Sequence, residues 1–127
     1  MDTELIGYFL PKGLLDYFTI TNVSELKDKS GKDTDLHIEL EEINRIPSGY
    51  DRSEYESKGF YPSKKIQDFP IRGKAVYLVI KRRRWRNKKN KNEVIFNDYS
   101  LFALGSKLTQ ELSDFLKGTG RDPRRYD

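Results

Sequence analysis

The chain has no cysteine. Disulfides and thiolate metal sites are therefore both excluded. It has a single histidine, His37, which excludes paired-histidine metal sites. No apolar run approaches the roughly 18 residues of a membrane span. The opening residues Met1-Asp2-Thr3-Glu4 are acidic, the opposite of a secretory signal, so a cytoplasmic protein is the expectation. The apolar fraction of 35% is low and is matched by 35% charged residues, which implies a small core for the length. Aromatics make up 13%, too many for a disordered chain, so a folded core is expected. The 127 residues fit one domain, drawn here as 1–118, followed by a polar tail, 119–127.

The net charge of +4 hides an asymmetry. Residues 1–62 carry 7 basic and 13 acidic side chains, whereas residues 63–127 carry 17 basic and 7 acidic. Lys81 to Asn92 alone hold 8 positive charges and no negative one. A one-sided distribution of this kind is the electrostatic footprint of a nucleic-acid binder.

The chain is organised around 66–86. A turn signal at Pro70 and Arg72-Gly73 leads into the most apolar run, Ala75 to Ile80, which leads into Lys81-Arg82-Arg83-Arg84-Trp85-Arg86. Both phases of the run are apolar through Ile80, which predicts a strand covered on both sides. Both phases are then cationic, and a strand from Lys74 to Arg86 would exceed the usual length. A bulge or a projecting two-stranded basic ribbon is expected, with its tip at Asn87 to Asn92 and its return strand at Glu93 to Phe96.

Around this stretch, Leu5 to Phe18 reads as one or two short helices broken at Pro11 and Gly13. Phe18 to Val23 and Leu36 to Ile43 read as strands of a hairpin across a polar turn, Lys27 to Asp33. Glu39, Glu41 and Glu42 fall on the expected solvent side and end of the second strand, and His37 on its polar phase. Ile46 to Pro62 shows no period and reads as a long irregular connection with one helical turn near Ser53 to Lys58. Its Tyr50, Tyr55, Phe60 and Tyr61 would either stack on bases or tack the loop to the core. Ser63 to Asp68 reads as a short strand. Leu108, Leu112, Phe115 and Leu116 share one helical face, with Ser106 as N-cap and Gly118 as C-cap. The fold class is α+β: a small antiparallel sheet with a projecting basic ribbon, short N-terminal helices and a C-terminal helix.

No Gly-rich phosphate loop, nucleophile elbow or paired-histidine motif is present, so the chain reads as non-enzymatic. Asp33, Asp35 and Asp51 have no spacing that suggests a metal site, and no cofactor is expected. The cationic ribbon is the candidate site. Lys81, Arg82, Arg83, Arg84 and Arg86 suit phosphates and guanine edges in a groove that admits a two-stranded ribbon. Lys88, Lys89 and Lys91 at the tip suit phosphates. Arg72 and Lys74 flank the turn as weaker candidates. Trp85 would either stack on a base or anchor the ribbon base to the core.

Ile66-Gln67-Asp68-Phe69-Pro70, Gly73, Val76-Tyr77-Leu78-Val79-Ile80 and Arg83-Arg84-Trp85 resemble the second half of a zinc-ribbon-like DNA-binding module. That module belongs to the N-terminal region of ISL-three-type insertion-sequence transposases. Leu10 to Phe18 is similar to the subgroup named after the ISAon-one element, in which a short reading frame encodes only this region. The resemblance implies binding of double-stranded DNA at terminal inverted repeats and a separately encoded transposase catalytic subunit as partner. The paired cysteines of the module would fall near Ser48 to Tyr50 and after Arg86, and neither pair is present. The resemblance therefore implies a metal-free relative, with contacts from Tyr50, Tyr61 and Trp85 in place of zinc.

Overall fold

The computed structural model describes residues 3–105 and 107–117. The expected tail, the Ser106 cap and the Gly118 cap lie outside these residues. The architecture is α+β, with two small open sheets and short helices. α1 (Thr3–Gly7) and a 3₁₀ turn (Leu14–Asp16) open the chain. β1 (Phe18–Lys27) and β2 (Thr34–Glu42) follow as the expected antiparallel hairpin, with the intervening turn closed by the Asp28 side chain. β3 (Tyr55–Phe60), β4 (Lys64–Ile71), β5 (Lys74–Lys81), β6 (Arg83–Asn87) and β7 (Val94–Ile95) complete the strands. α2 (Ser100–Leu104) and α3 (Gln110–Lys117) end the described chain.

The first sheet has the order β1-β2-β5-β4. It is mixed, because β2 and β5 run parallel while β1–β2 and β4–β5 are antiparallel. The rows of the sheet explain its core. Ile38, Leu78 and Ile66 lie side by side across three strands, and all are fully buried. Ile6, Leu14, Ala103, Leu112 and Leu116 from the helices and turns, with Phe18 at the start of β1, cover this face. The other face is open. Ala75, Tyr77 and Val79 are only half-buried, so the expected cover on both sides of β5 is not found. Tyr77 is shielded within the sheet itself, by the His37 ring at 5.2 Å and by the Lys65 ammonium at 4.5 Å from its centroid.

The Arg72-Gly73 turn between β4 and β5 has φ of 49° and 78°, the left-handed pair of a tight two-residue hairpin. Glycine takes this conformation freely; an arginine takes it at a cost.

Four expectations are corrected. Residues 46–62 are not an irregular loop throughout, because Tyr55 to Phe60 pair with β6. β3 has one buried side chain, Tyr55, so no alternation marks it; pairing rather than pattern makes it a strand. The basic segment does not project as an isolated two-stranded ribbon. The chain breaks at Arg82 and re-enters a second sheet of order β3-β6-β7, where β6 is central. Glu42 is not on the solvent side: it is 1% exposed, because the alternation of Leu36, Ile38 and Leu40 carries on one step further. The C-terminal helix begins at Gln110, where the Thr109 hydroxyl accepts the Leu112 amide at 3.3 Å. Among the described residues no helix is long and apolar enough to cross a membrane.

Candidate nucleic-acid interface

β6 alternates, so its cations divide between two faces. One face carries Trp85, opposite Ser57 on β3 and Ile95 on β7. Trp85 is 3% exposed and forms a second small core with Tyr55, Ile95 and Ile46. Tyr50 meets Tyr55 edge-on at 5.4 Å. Trp85 thus anchors the base of the hairpin and is closed to a nucleic-acid base. Of the three aromatics expected in place of zinc, Trp85 is in this cluster, Tyr50 only touches its Tyr55 from the exposed side, and Tyr61 packs instead against Phe96 at 6.0 Å.

Arg82, at the junction of the two sheets, is 8% exposed. Its guanidinium is caged by Phe96, Tyr99 and Phe115, with ring centroids 5.5, 5.5 and 5.7 Å away. It donates to the carbonyls of Asn97 and, at 3.4 Å, Phe115. Phe115 lies in the last turn of α3, where a cation also complements the helix dipole. The role of Arg82 is to hold α3 and residue 97 onto the sheet. Both Arg82 and Trp85 are thereby removed from the set of groups that could reach DNA in this conformation.

Glu42 completes the junction. It accepts from the Arg83 amide at 2.8 Å, from Asn97 Nδ2 at 2.9 Å and from the Tyr99 hydroxyl. A buried carboxylate with three donors has its desolvation offset by hydrogen bonds. The Tyr99 hydroxyl is held protonated far above the ordinary tyrosine range, first by burial and then by the Glu42 charge. Neither Glu42 nor Tyr99 is legible as a positioning residue from spacing, since the two are distant in sequence.

Of the remaining cations, Lys81, Arg83, Arg84 and Arg86 are half-buried and the tip lysines are exposed. Arg83 lies over the Phe60 ring at 4.5 Å, with Lys81 on the same ring at 5.9 Å. Arg84 lies over Tyr61 at 5.1 Å, and its Nε points to the Lys58 carbonyl at 3.4 Å. Arg86 shares its face with Glu56 on β3 and Val94 on β7. Lys88, Lys89 and Lys91 are exposed on the hairpin tip. Asn87 shapes that tip: its side-chain oxygen accepts the amides of Lys89 and Asn90 at 2.8 and 3.0 Å. The tip is not purely cationic, since Glu93 accepts from Asn87 Nδ2 at 2.8 Å and Asp51 lies near Lys88.

Few of these charges are neutralised locally. The ion pairs within 4 Å among the described residues are Lys58–Glu56 at 3.8 Å and Lys74–Glu25 at 3.5 Å. Lys81, Arg83, Arg84, Arg86, Lys88, Lys89 and Lys91 take part in neither. Arg72 and Lys74 sit at the opposite end of β5 and do not join this surface. Lys74 is also engaged with Thr34 at 3.0 Å. The structure adds one cation that the sequence reading missed: Lys58, on β3 beside Arg84. Its signal was its place among the aromatics of 55–61, hidden by the absence of a period.

Comparison with protein-family models, with curated proteins and with solved structures finds no match to this chain.

Proposed function

We propose that the chain is a non-catalytic DNA-binding module, the N-terminal region of an insertion-sequence transposase. In this reading it engages the terminal inverted repeats of a mobile element and delivers a separately encoded catalytic subunit in the cytoplasm. The observation that carries the proposal is the run of cations outside any ion pair: Lys81 at the end of β5, Arg83, Arg84 and Arg86 on β6, and Lys88, Lys89 and Lys91 on the hairpin tip. The backbone of the β6 arginines is fixed by pairing with β3 and β7 and by the Trp85 cluster. Cations held on a rigid element bind a polyanion at a lower ordering cost than cations on a free loop. Phe60 and Tyr61 hold the Arg83 and Arg84 guanidinium groups from below, which favours fixed orientations over freely rotating ones.

The test is competition for the purified chain between a duplex carrying an inverted repeat, a scrambled duplex and single-stranded RNA. The proposal expects the repeat to compete best. Preference for RNA, or no binding to any of the three at moderate salt, would rule it out. Equal binding to both duplexes would remove the inverted-repeat part and leave a non-specific DNA binder.

A protein-interaction module is the second reading. It is favoured by exposed apolar side chains on the helical side, among them Tyr8, Leu101 and Leu104. Charge reversal at Arg84 and Arg86 separates the two, since it abolishes nucleic-acid binding only in the first.

A further inference from the structure

The core face of the first sheet is built from rows of aliphatic side chains. One row, Leu36–Val76–Asp68, ends in a carboxylate where the pattern calls for a hydrocarbon. Asp68 is 5% exposed, and its Oδ1 has no hydrogen-bond partner. The contrast with Glu42, which has three donors, is direct. Burial pushes the Asp68 carboxyl above the ordinary carboxylate range, only partly opposed by the Phe69 amide. A buried polar atom without a partner requires an explanation.

A cavity of about 290 Å³ supplies one. Asp68 lines it together with Phe9, Leu10, Pro11, Phe69 and Lys107. Phe9 and Phe69 are exposed, so the cavity opens to solvent between the end of α1 and β4. No ion pair joins Lys107 to Asp68. The result is an apolar, aromatic cleft with one unsatisfied acceptor, Asp68 Oδ1, buried in its wall.

We propose that this cleft receives an arginine side chain of a protein partner. The guanidinium would meet Asp68, and its stem would lie along Phe9, Pro11 and Phe69. Charge complementarity selects a cation, and the two phenyl rings favour a planar one over an ammonium. None of the DNA-facing residues lines the cleft, so the inference stands or falls apart from the DNA reading.

The test is a carbon-detected NMR titration of the full chain at neutral pH with N-acetyl-arginine amide, beside the uncharged N-acetyl-norleucine amide. The expected result is a saturable shift of the Asp68 carboxyl carbon with the arginine probe and none with norleucine. Asp68→Asn keeps the side-chain shape and is expected to weaken binding by about tenfold. Phe69→Ala, with Asp68 intact, is expected to weaken it severalfold. Unchanged amide signals of Leu78 and Leu112 report that each variant is folded. An equal response to norleucine, or undiminished binding to Asp68→Asn, would overturn the proposal. So would the absence of a saturable response in both the wild type and Lys107→Ala, the variant that frees the cleft of its own lysine.

Discussion

Arg83 is bonded to Glu42 twice. Its amide donates to Glu42 Oε1 at 2.8 Å, and its side-chain Nε donates to the Glu42 carbonyl at 2.7 Å. Glu42 is the last residue of β2 and Arg83 the first of β6, so this pair joins the two sheets. The basic strand is therefore an extension of the folded core rather than an appendage.

Glu42→Ala is expected to leave the Arg83 amide and the Tyr99 hydroxyl without their acceptor, while Asn97 Nδ2 keeps the Arg45 carbonyl at 2.8 Å. Each stranded buried donor costs about 1–3 kcal/mol, so a loss of roughly 2 kcal/mol or more is predicted in urea unfolding. Glu42→Gln keeps an acceptor and should lose less. A Glu42→Ala chain within about 0.5 kcal/mol of wild type, the range of an ordinary surface substitution, would show that the junction is not held this way.

Arg82 and Trp85 lie in the basic segment but are structural. Trp85→Ala should cost about 3–5 kcal/mol by opening a cavity in the second core. Trp85 is the sole tryptophan. Its emission should be that of a buried indole and should stay unchanged at saturating DNA. Quenching or a spectral shift on binding would return Trp85 to the interface. Arg82→Ala should destabilise the fold, while Lys89→Ala should leave stability unchanged.

Much of this architecture is legible in the sequence. The β1–β2 hairpin and the apolar face of α3 follow from alternation and helical spacing, since each has one face against a core; β5 is legible as the most apolar run, though its expected cover on both sides is not found. β3 is not legible, because Glu56, Ser57 and Lys58 show no buried phase and its place depends on partners distant in sequence. α2 is missed because a five-residue helix with Leu101 and Leu104 exposed has no apolar stripe to detect. The candidate site was legible as composition but not as geometry. Charge density identifies Lys81 to Lys91, but it cannot separate Arg82, buried among three rings, from Arg84, half-buried over one.

Arg72 occupies a left-handed position at φ 49°. Arg72→Gly is expected to stabilise the turn by relieving a conformation worth about 1 kcal/mol, less the entropy that glycine gains in the unfolded chain. Arg72→Asn, which tolerates this region without that entropy loss, should stabilise by up to about 1 kcal/mol. Thermal unfolding checks both. A clear fall in midpoint for Arg72→Asn would mean that the arginine side chain makes a stabilising contact there.

His37 titrates below the ordinary histidine value, first through burial and then through the Lys65 charge. The folded state therefore binds its proton less readily than the unfolded state. The sign follows: the His37 contribution is intact above pH about 6.5, the unfolded value, and is lost as pH falls from there through the lower folded value. An NMR titration of the imidazole should give the lowered midpoint, and Lys65→Ala should raise it. A midpoint unmoved by Lys65→Ala would assign the shift to burial alone.

The proposed binding of DNA by the hairpin tip and β6 through phosphate contacts is read in the salt dependence of duplex binding by fluorescence anisotropy, for the wild type and for Lys88→Ala/Lys89→Ala/Lys91→Ala. The tip lysines are exposed and their removal leaves both cores untouched. If each contacts one phosphate, the slope of log affinity against log salt should become shallower by about 2.7, at about 0.9 per contact. Affinity at low salt should fall with it. A triple variant with the wild-type slope and affinity would show that the tip lysines make no phosphate contacts.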